Sequence, residues 1–170
     1  MGSMPPFQGQ SPYPRDQVNV PPGGSAEKLE ALGSGYHGLN LVFVGNIVVA
    51  LGINLFARST EGDLGAGVII LGLFALMGVG VAFATFPQNK KIGFGLDWQP
   101  SGAIIASILM GLNSALCCGV IGYVVMQQLA GNRMKQYGLR TGFLGVKKAD
   151  IAARVSELRQ SPAGSPPPMF

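Results

Sequence analysis

The sequence predicts an all-α membrane protein with three transmembrane helices, disordered Pro-rich termini and a short cytoplasmic amphipathic helix. Three observations carry that expectation. Charged residues make up only 12% of the 170-residue chain, where a soluble domain has about 25%. Three stretches, Ala31 to Ala57, Leu64 to Asn89 and Trp98 to Asn132, contain no Asp, Glu, Lys or Arg, and each exceeds the roughly 20 residues that cross a hydrocarbon core about 30 Å thick. Within these stretches Gly, Ala and Ser recur at four-residue spacing, the pattern that lets helices approach closely in lipid.

Residues 1–30 are rich in Pro, Gly, Ser and Gln. Such a segment buries too little apolar surface to offset the entropy of ordering, so it is expected to be a disordered tail. It has no basic region leading into an apolar one, which argues against a secretory signal peptide. Pro6 stands where a myristoylation motif after Gly2 needs Ser or Thr.

The transmembrane region is expected over 31–132. The first span, about 36–56, enters with Tyr36 and His37, rings that favour the headgroup level. A polar turn from Arg58 to Asp63 follows. The second span, about 64–86, is stopped by Pro87, Gln88 and Asn89 and anchored by Lys90 and Lys91. Trp98 is a further interfacial marker, and Pro100 suits the first turn of a helix. The third span is expected over about 101–128, leaving the hydrocarbon near Gln127 and Gln128 as one continuous helix.

Residues 133–160 form a basic juxtamembrane segment ending in an amphipathic helix. Arg133, Lys135, Arg140, Lys147 and Lys148 are expected to contact anionic lipid headgroups, with Tyr137 and Phe143 dipping into the surface. An irregular linker with snorkelling cations accounts for the same composition. Ile151, Val155 and Leu158 recur at i, i+4 and i+7, and Asp150 and Arg154 are spaced for an ion pair. A helix of about fourteen residues is marginal alone, so this apolar stripe needs the membrane, another subunit or a partner protein. Residues 161–170 are Pro-rich and expected to be disordered.

Three spans put the termini on opposite sides. With the C-terminus inside, the cytoplasmic side holds Arg58 plus five cations from Arg133 to Lys148, and the other side holds Arg15, Lys28, Lys90 and Lys91. The excess favours a cytoplasmic C-terminus in a plasma or inner membrane. A further fold within the long third stretch would reverse the parity.

The packing candidates are Gly78, Gly80, Ala82 and Ala84 on the second span, and Ala103, Ser107, Gly111, Ala115 and Gly119 on the third. Three helices need only part of this surface. The surplus points to a homo-oligomer or a subunit of a larger membrane complex, although Gly and Ala are also simply common in membrane helices. Adjacent Cys117 and Cys118 exclude a disulfide framework and are read as packing residues.

Chemistry is sparse. Asn46 and Asn113 are the polar intramembrane candidates: an interhelical hydrogen bond is the plain reading, a pore lining the sharper one. The absence of ionisable residues inside the spans argues against a proton-coupled transporter. His37, the single histidine, is a candidate haem or pigment ligand, but an ordinary interfacial residue fits its position better, and no cofactor is expected. A Ser/His hydrolase would need His37 beside Ser107 or Ser114, far deeper in the chain. Phosphate loops, HExxH and paired carboxylates are missing, and the basic tail lacks a nucleic-acid recognition motif. The expectation is a non-enzymatic structural or assembly subunit, with an oligomeric channel and a cofactor-holding accessory subunit as alternatives.

Overall fold

The computed structural model of the chain describes residues 24–60, 64–117, 119–140 and 145–160. The remaining residues lie outside the description, and with them Cys118, Phe143 and the disorder expected of the two ends. Five helices make up the described fold, with no strand among those residues: α1 (Ala26–Ser59), α2 (Leu64–Gly95), α3 (Pro100–Cys117), α4 (Val120–Gln136) and α5 (Lys148–Gln160). Two of them, α1 and α2, are long and apolar enough to span a membrane by length and composition, while α3 is a shorter apolar helix.

The first helix begins at Ala26, inside the segment expected to be a tail. Ser25 caps it, its hydroxyl accepting the Lys28 N–H at 3.2 Å, and Glu27 lies in the positively polarised first turn. Leu29, Leu32, Tyr36 and Leu39 are all buried. Their spacing of three and four residues gives the helix one core-facing stripe from its first turn onward. Composition signalled a tail, but this stripe begins before the charges end.

The second helix passes through Pro87 and continues to Gly95 instead of stopping there. Pro87 is exposed, and the residues beyond it are held by packing. Asn89 and Ile92 are wholly buried, and Asn89 Nδ2 donates to Ser107 Oγ on α3 at 2.9 Å. The helix closes at Asp97, whose φ of 59° is left-handed. There the Trp98 N–H reaches the Gly93 carbonyl at 2.8 Å and the Asp97 N–H reaches Phe94 at 3.4 Å, the Schellman pattern of bonds. Asp is among the few non-glycine residues that tolerate this conformation.

The expected continuous span over 101–128 is overturned. The helix breaks after Cys117, and the chain reverses through Gly119, whose φ of 74° is left-handed. A Cβ there would also stand 2.5 Å from Ser114 Oγ, so both conformation and space require glycine. Asp97, at the head of α3, pairs with Arg133 near the end of α4 at 3.1 Å, so the two helices run antiparallel as a hairpin. Lys28 pairs with Asp97, and Glu30 pairs with Arg159 of α5 at 2.5 Å. Both ends of the described chain therefore lie at one end of the bundle.

The two hairpins have unequal reach. α1 and α2 pack along each other, α3 lies on α2, and α4 contacts α1 and α3. The reversal at Gly119 meets Asn46, 13 residues before the end of α1, which is about 20 Å of helix. Among the described residues, only α1 and α2 continue beyond that level. Large apolar side chains cover the outside: Leu41, Val48 and Leu55 on α1, Leu71 and Phe83 on α2, Leu116 on α3 and Ile121 on α4 are all more than half exposed.

Candidate functional site

The small residues are spent mainly on one intrachain contact. A Cβ on Gly78 would lie 2.8 Å from the Gly111 carbonyl oxygen and 2.9 Å from Ala115 Cβ. One on Gly111 would lie 2.6 Å from the Gly78 carbonyl oxygen and 2.8 Å from Ala82 Cβ. Backbones this close exclude any side chain, so Gly78, Ala82, Gly111 and Ala115 form the seam between α2 and α3. Ala103 and Ser107 are buried on the same face of α3. Ser107 donates to the Ala103 carbonyl at 2.8 Å while accepting from Asn89. Gly80 and Ala84 do not belong to this seam. Both are exposed, and a Cβ on Gly80 would meet nothing within 4 Å, because they lie about 200° and 240° round the helix from Gly78.

The polar candidates converge at the tip of the α3–α4 hairpin. Asn46 is buried on α1, and its Nδ2 faces Gly119. Asn113 is half-buried on α3; its carbonyl accepts the Gly119 N–H at 3.2 Å and its Nδ2 borders Gly122. Ser114 and Tyr123 are wholly buried beside them, and the Tyr123 ring packs on Phe43 of α1 at 4.7 Å between centroids. Ser114 Oγ and Tyr123 Oη have no hydrogen-bond partner among the described residues. One helical turn nearer the charged end, Gln127 Nε2 donates to Asn40 Oδ1 across α4 and α1. This polar column ties the short hairpin to α1. The sequence singled out Asn46 and Asn113 as the polar pair but gave Ser114 and Gln127 other roles and did not single out Tyr123 or Asn40, because a single straight third span would not have brought them together.

The other concentration of function-bearing groups is the charged end. Every described Lys and Arg except Arg58 belongs to it. Asp97 is its hub, accepting from Lys28 Nζ and from Arg133 Nη2 at 3.1 Å. The Lys28 hydrogen bond, reinforced by the Lys28 and Arg133 charges, holds the Asp97 carboxyl below the usual carboxylate range. Arg133, expected at lipid headgroups, is thus engaged inside the fold, where it also bonds Gln136 at 2.8 Å. Lys135, Arg140, Lys147 and Lys148 are exposed.

The apolar stripe of the tail is satisfied within the chain. Ile151 and Val155 are buried and Leu158 half-buried against the core, with Ile151 filling the notch at Gly33 on α1, where a Cβ would lie 2.9 Å from it. Arg154 pairs with Glu157 at 2.7 Å, not with Asp150 as the spacing suggested, and its Nε donates to the Tyr137 carbonyl at 3.0 Å. The Tyr36 hydroxyl lies against Gly145. The apolar face of α5 is therefore packed against α1 within the chain.

His37 stands at this same end, between Tyr36 and Gly38, its ring edge-on to Tyr36 at 5.6 Å. Its Nε2 is buried with no hydrogen-bond partner among the described residues. No group of three or more His, Cys, Asp and Glu that could hold a metal ion occurs among them. Comparison with family models, curated proteins and solved structures finds no match.

Proposed function

We propose that this chain is an integral membrane protein with a structural role, a wedge-shaped helical bundle that does no chemistry of its own. The observation that carries the reading is the unequal reach of the hairpins within one continuous apolar exterior. On α1 the exposed apolar residues run from Leu41 to Phe56, and with the flanking residues they match a hydrocarbon core about 30 Å thick. On α3 and α4 they stop at the tip of the hairpin, at Leu116 and Val120, part-way down α1. The leaflet on the charged side would then hold four helices and the opposite leaflet two. The cation excess assigns the wide end, with both ends of the described chain, to the cytoplasmic side.

A body wider in one leaflet favours a bilayer that curves to make room for it. Reconstituted into a mixture of vesicle sizes, the chain should enrich on small vesicles with its charged end outward. Equal density on small and large vesicles would refute the wedge. Recovery in the aqueous supernatant after lysis without detergent would refute the membrane reading itself.

A second reading, an assembly subunit of a homo- or hetero-oligomeric membrane complex, is favoured by Gly80 and Ala84. They present a small-xxx-small face outward that is left exposed among the described residues. Gly80→Leu should leave the monomer folded and abolish higher species in native mass measurements; an unchanged distribution removes this reading.

A further inference from the structure

Among the described residues, α1 and α5 enclose a groove of about 1010 Å³ at the charged end, the top of the range for small-molecule sites. Its lining is graded. Toward the charged end stand Ser34, His37, Lys148 and Arg159; toward the apolar exterior the floor is Leu41 and Val44, both exposed and continuous with the apolar belt. A molecule occupying its length must therefore be polar at one end and apolar at the other.

The charge balance sets the sign of the polar end. Glu30 and Arg159, both on the groove wall, neutralise each other at 2.5 Å. Lys148 has no ion-pair partner among the described residues. Behind the wall, Lys91 Nζ donates to Ser34 Oγ at 3.1 Å, which adds a second cation and leaves the serine hydroxyl proton free to donate. His37 also lines the groove, with its Nε2 buried beneath the wall and without a hydrogen-bond partner among the described residues. Resting on the membrane reading above, we propose that this groove is a binding site for an anionic phospholipid. Its phosphate sits among Lys148, Ser34 and His37, and an acyl chain lies along Leu41 and Val44. The lipid would bridge α5 to α1 and so make seating of the tail helix dependent on the composition of the leaflet.

The test uses full-length chain in detergent, with native mass spectrometry of retained phosphatidylglycerol and phosphatidylcholine. Wild type should retain the anionic lipid about fivefold over the zwitterionic one, the effect of one cation near a lipid phosphate. Lys148→Glu should abolish the preference. Lys90→Glu makes the same charge change on an exposed residue outside the groove and should keep it. Val44→Trp, which fills the floor, should reduce retention of both lipids. Equal retention by wild type, or equal loss in the two charge variants, would overturn the site in favour of diffuse surface attraction. Competition by free glycerol phosphate would overturn the lipid as ligand in favour of a soluble phosphate ester. Chain that stays with membranes yet shows no preference refutes only the groove, whereas chain recovered without detergent refutes the membrane reading beneath it.

Discussion

The two helical hairpins are made of similar apolar helices, and they turn in different ways. α1–α2 turns through a charged stretch containing Arg58, Glu61 and Asp63, residues that water can solvate. α3–α4 turns between Trp98 and Asn132, where the chain carries no charge at all, and Gly119 at its reversal is buried. A turn without water must find partners for its backbone within the protein. Here the Gly119 N–H goes to the Asn113 carbonyl and the Gly119 carbonyl accepts from Tyr123 at 3.4 Å, under the Asn46 amide of α1. The difference teaches an order of dependence. The short hairpin is defined by the surface that the long one offers.

The largest test of that dependence is the seam. Gly111→Leu would drive a side chain into the Gly78 carbonyl, 2.6 Å from where its Cβ must stand. It should destabilise by about 3 kcal/mol, the upper end of ordinary overpacking, and release the short hairpin while α1–α2 persists. Gly80→Leu on the same helix meets nothing within 4 Å and should leave stability in detergent undiminished, with a gain of at most about 1 kcal/mol from helix propensity. Equal effects would mean that the seam is not what joins the hairpins. Next in size is the turn. Gly119→Ala forces a Cβ into left-handed backbone, about 1–2 kcal/mol, beside Ser114 Oγ. Gly52→Ala, in open space on α1, should stabilise by up to about 1 kcal/mol. Thermal unfolding followed by circular dichroism reads all four variants.

How much of this was legible beforehand differs between the hairpins for the same reason. The helical class, the places where α1 and α2 are apolar, and the helix over 148–160 follow from hydropathy and period, which are local. The α3–α4 reversal does not. Cys117, Cys118 and Gly119 carry none of the Pro, Asn-Gly or charged signals of a solvent turn, because the turn is solvated by protein side chains instead. The four-residue repeat from Ala103 to Gly119 announced a packing face but not its partner, since spacing alone cannot tell an intrachain seam from an oligomer interface. The fate of α5 was hidden likewise: Ile151 needs the notch at Gly33, which is 118 residues away and looks like any other glycine.

A smaller effect sharpens the comparison along the α2–α3 contact. Asn89→Ala removes the bond to Ser107 and should cost about 1 kcal/mol, typical of a polar tie between apolar helices. Asn89→Leu restores volume and should recover part of that loss, because Asn89 Oδ1 is already buried without a partner among the described residues. Failure of Leu to recover anything would mean that the amide specifies the register of the two helices rather than filling the space between them.

The smallest expected effect is a titration, and it tests whether the charged hub fastens the short hairpin to α1. Asp97 joins Lys28 of α1 to Arg133 of α4, and those two cations hold its carboxyl below the ordinary value. A depressed folded value means that the contribution is fully present above the ordinary aspartate range, near pH 4, and is lost as the pH falls through the folded value. Trp98 is the natural reporter, because it follows Asp97 directly and packs 3.6 Å from the Cβ position of Gly93. Its emission should be flat from neutral pH down to about 4 and then shift. Asp97→Asn keeps a hydrogen-bonding oxygen but no charge, so its emission should start near the acid-shifted position and titrate little. Wild-type and Asn curves with the same midpoint would assign the transition to another carboxyl, and would leave the Asn89–Ser107 bond and the uncharged column from Asn40 to Ser114 as the polar links that fasten the short hairpin.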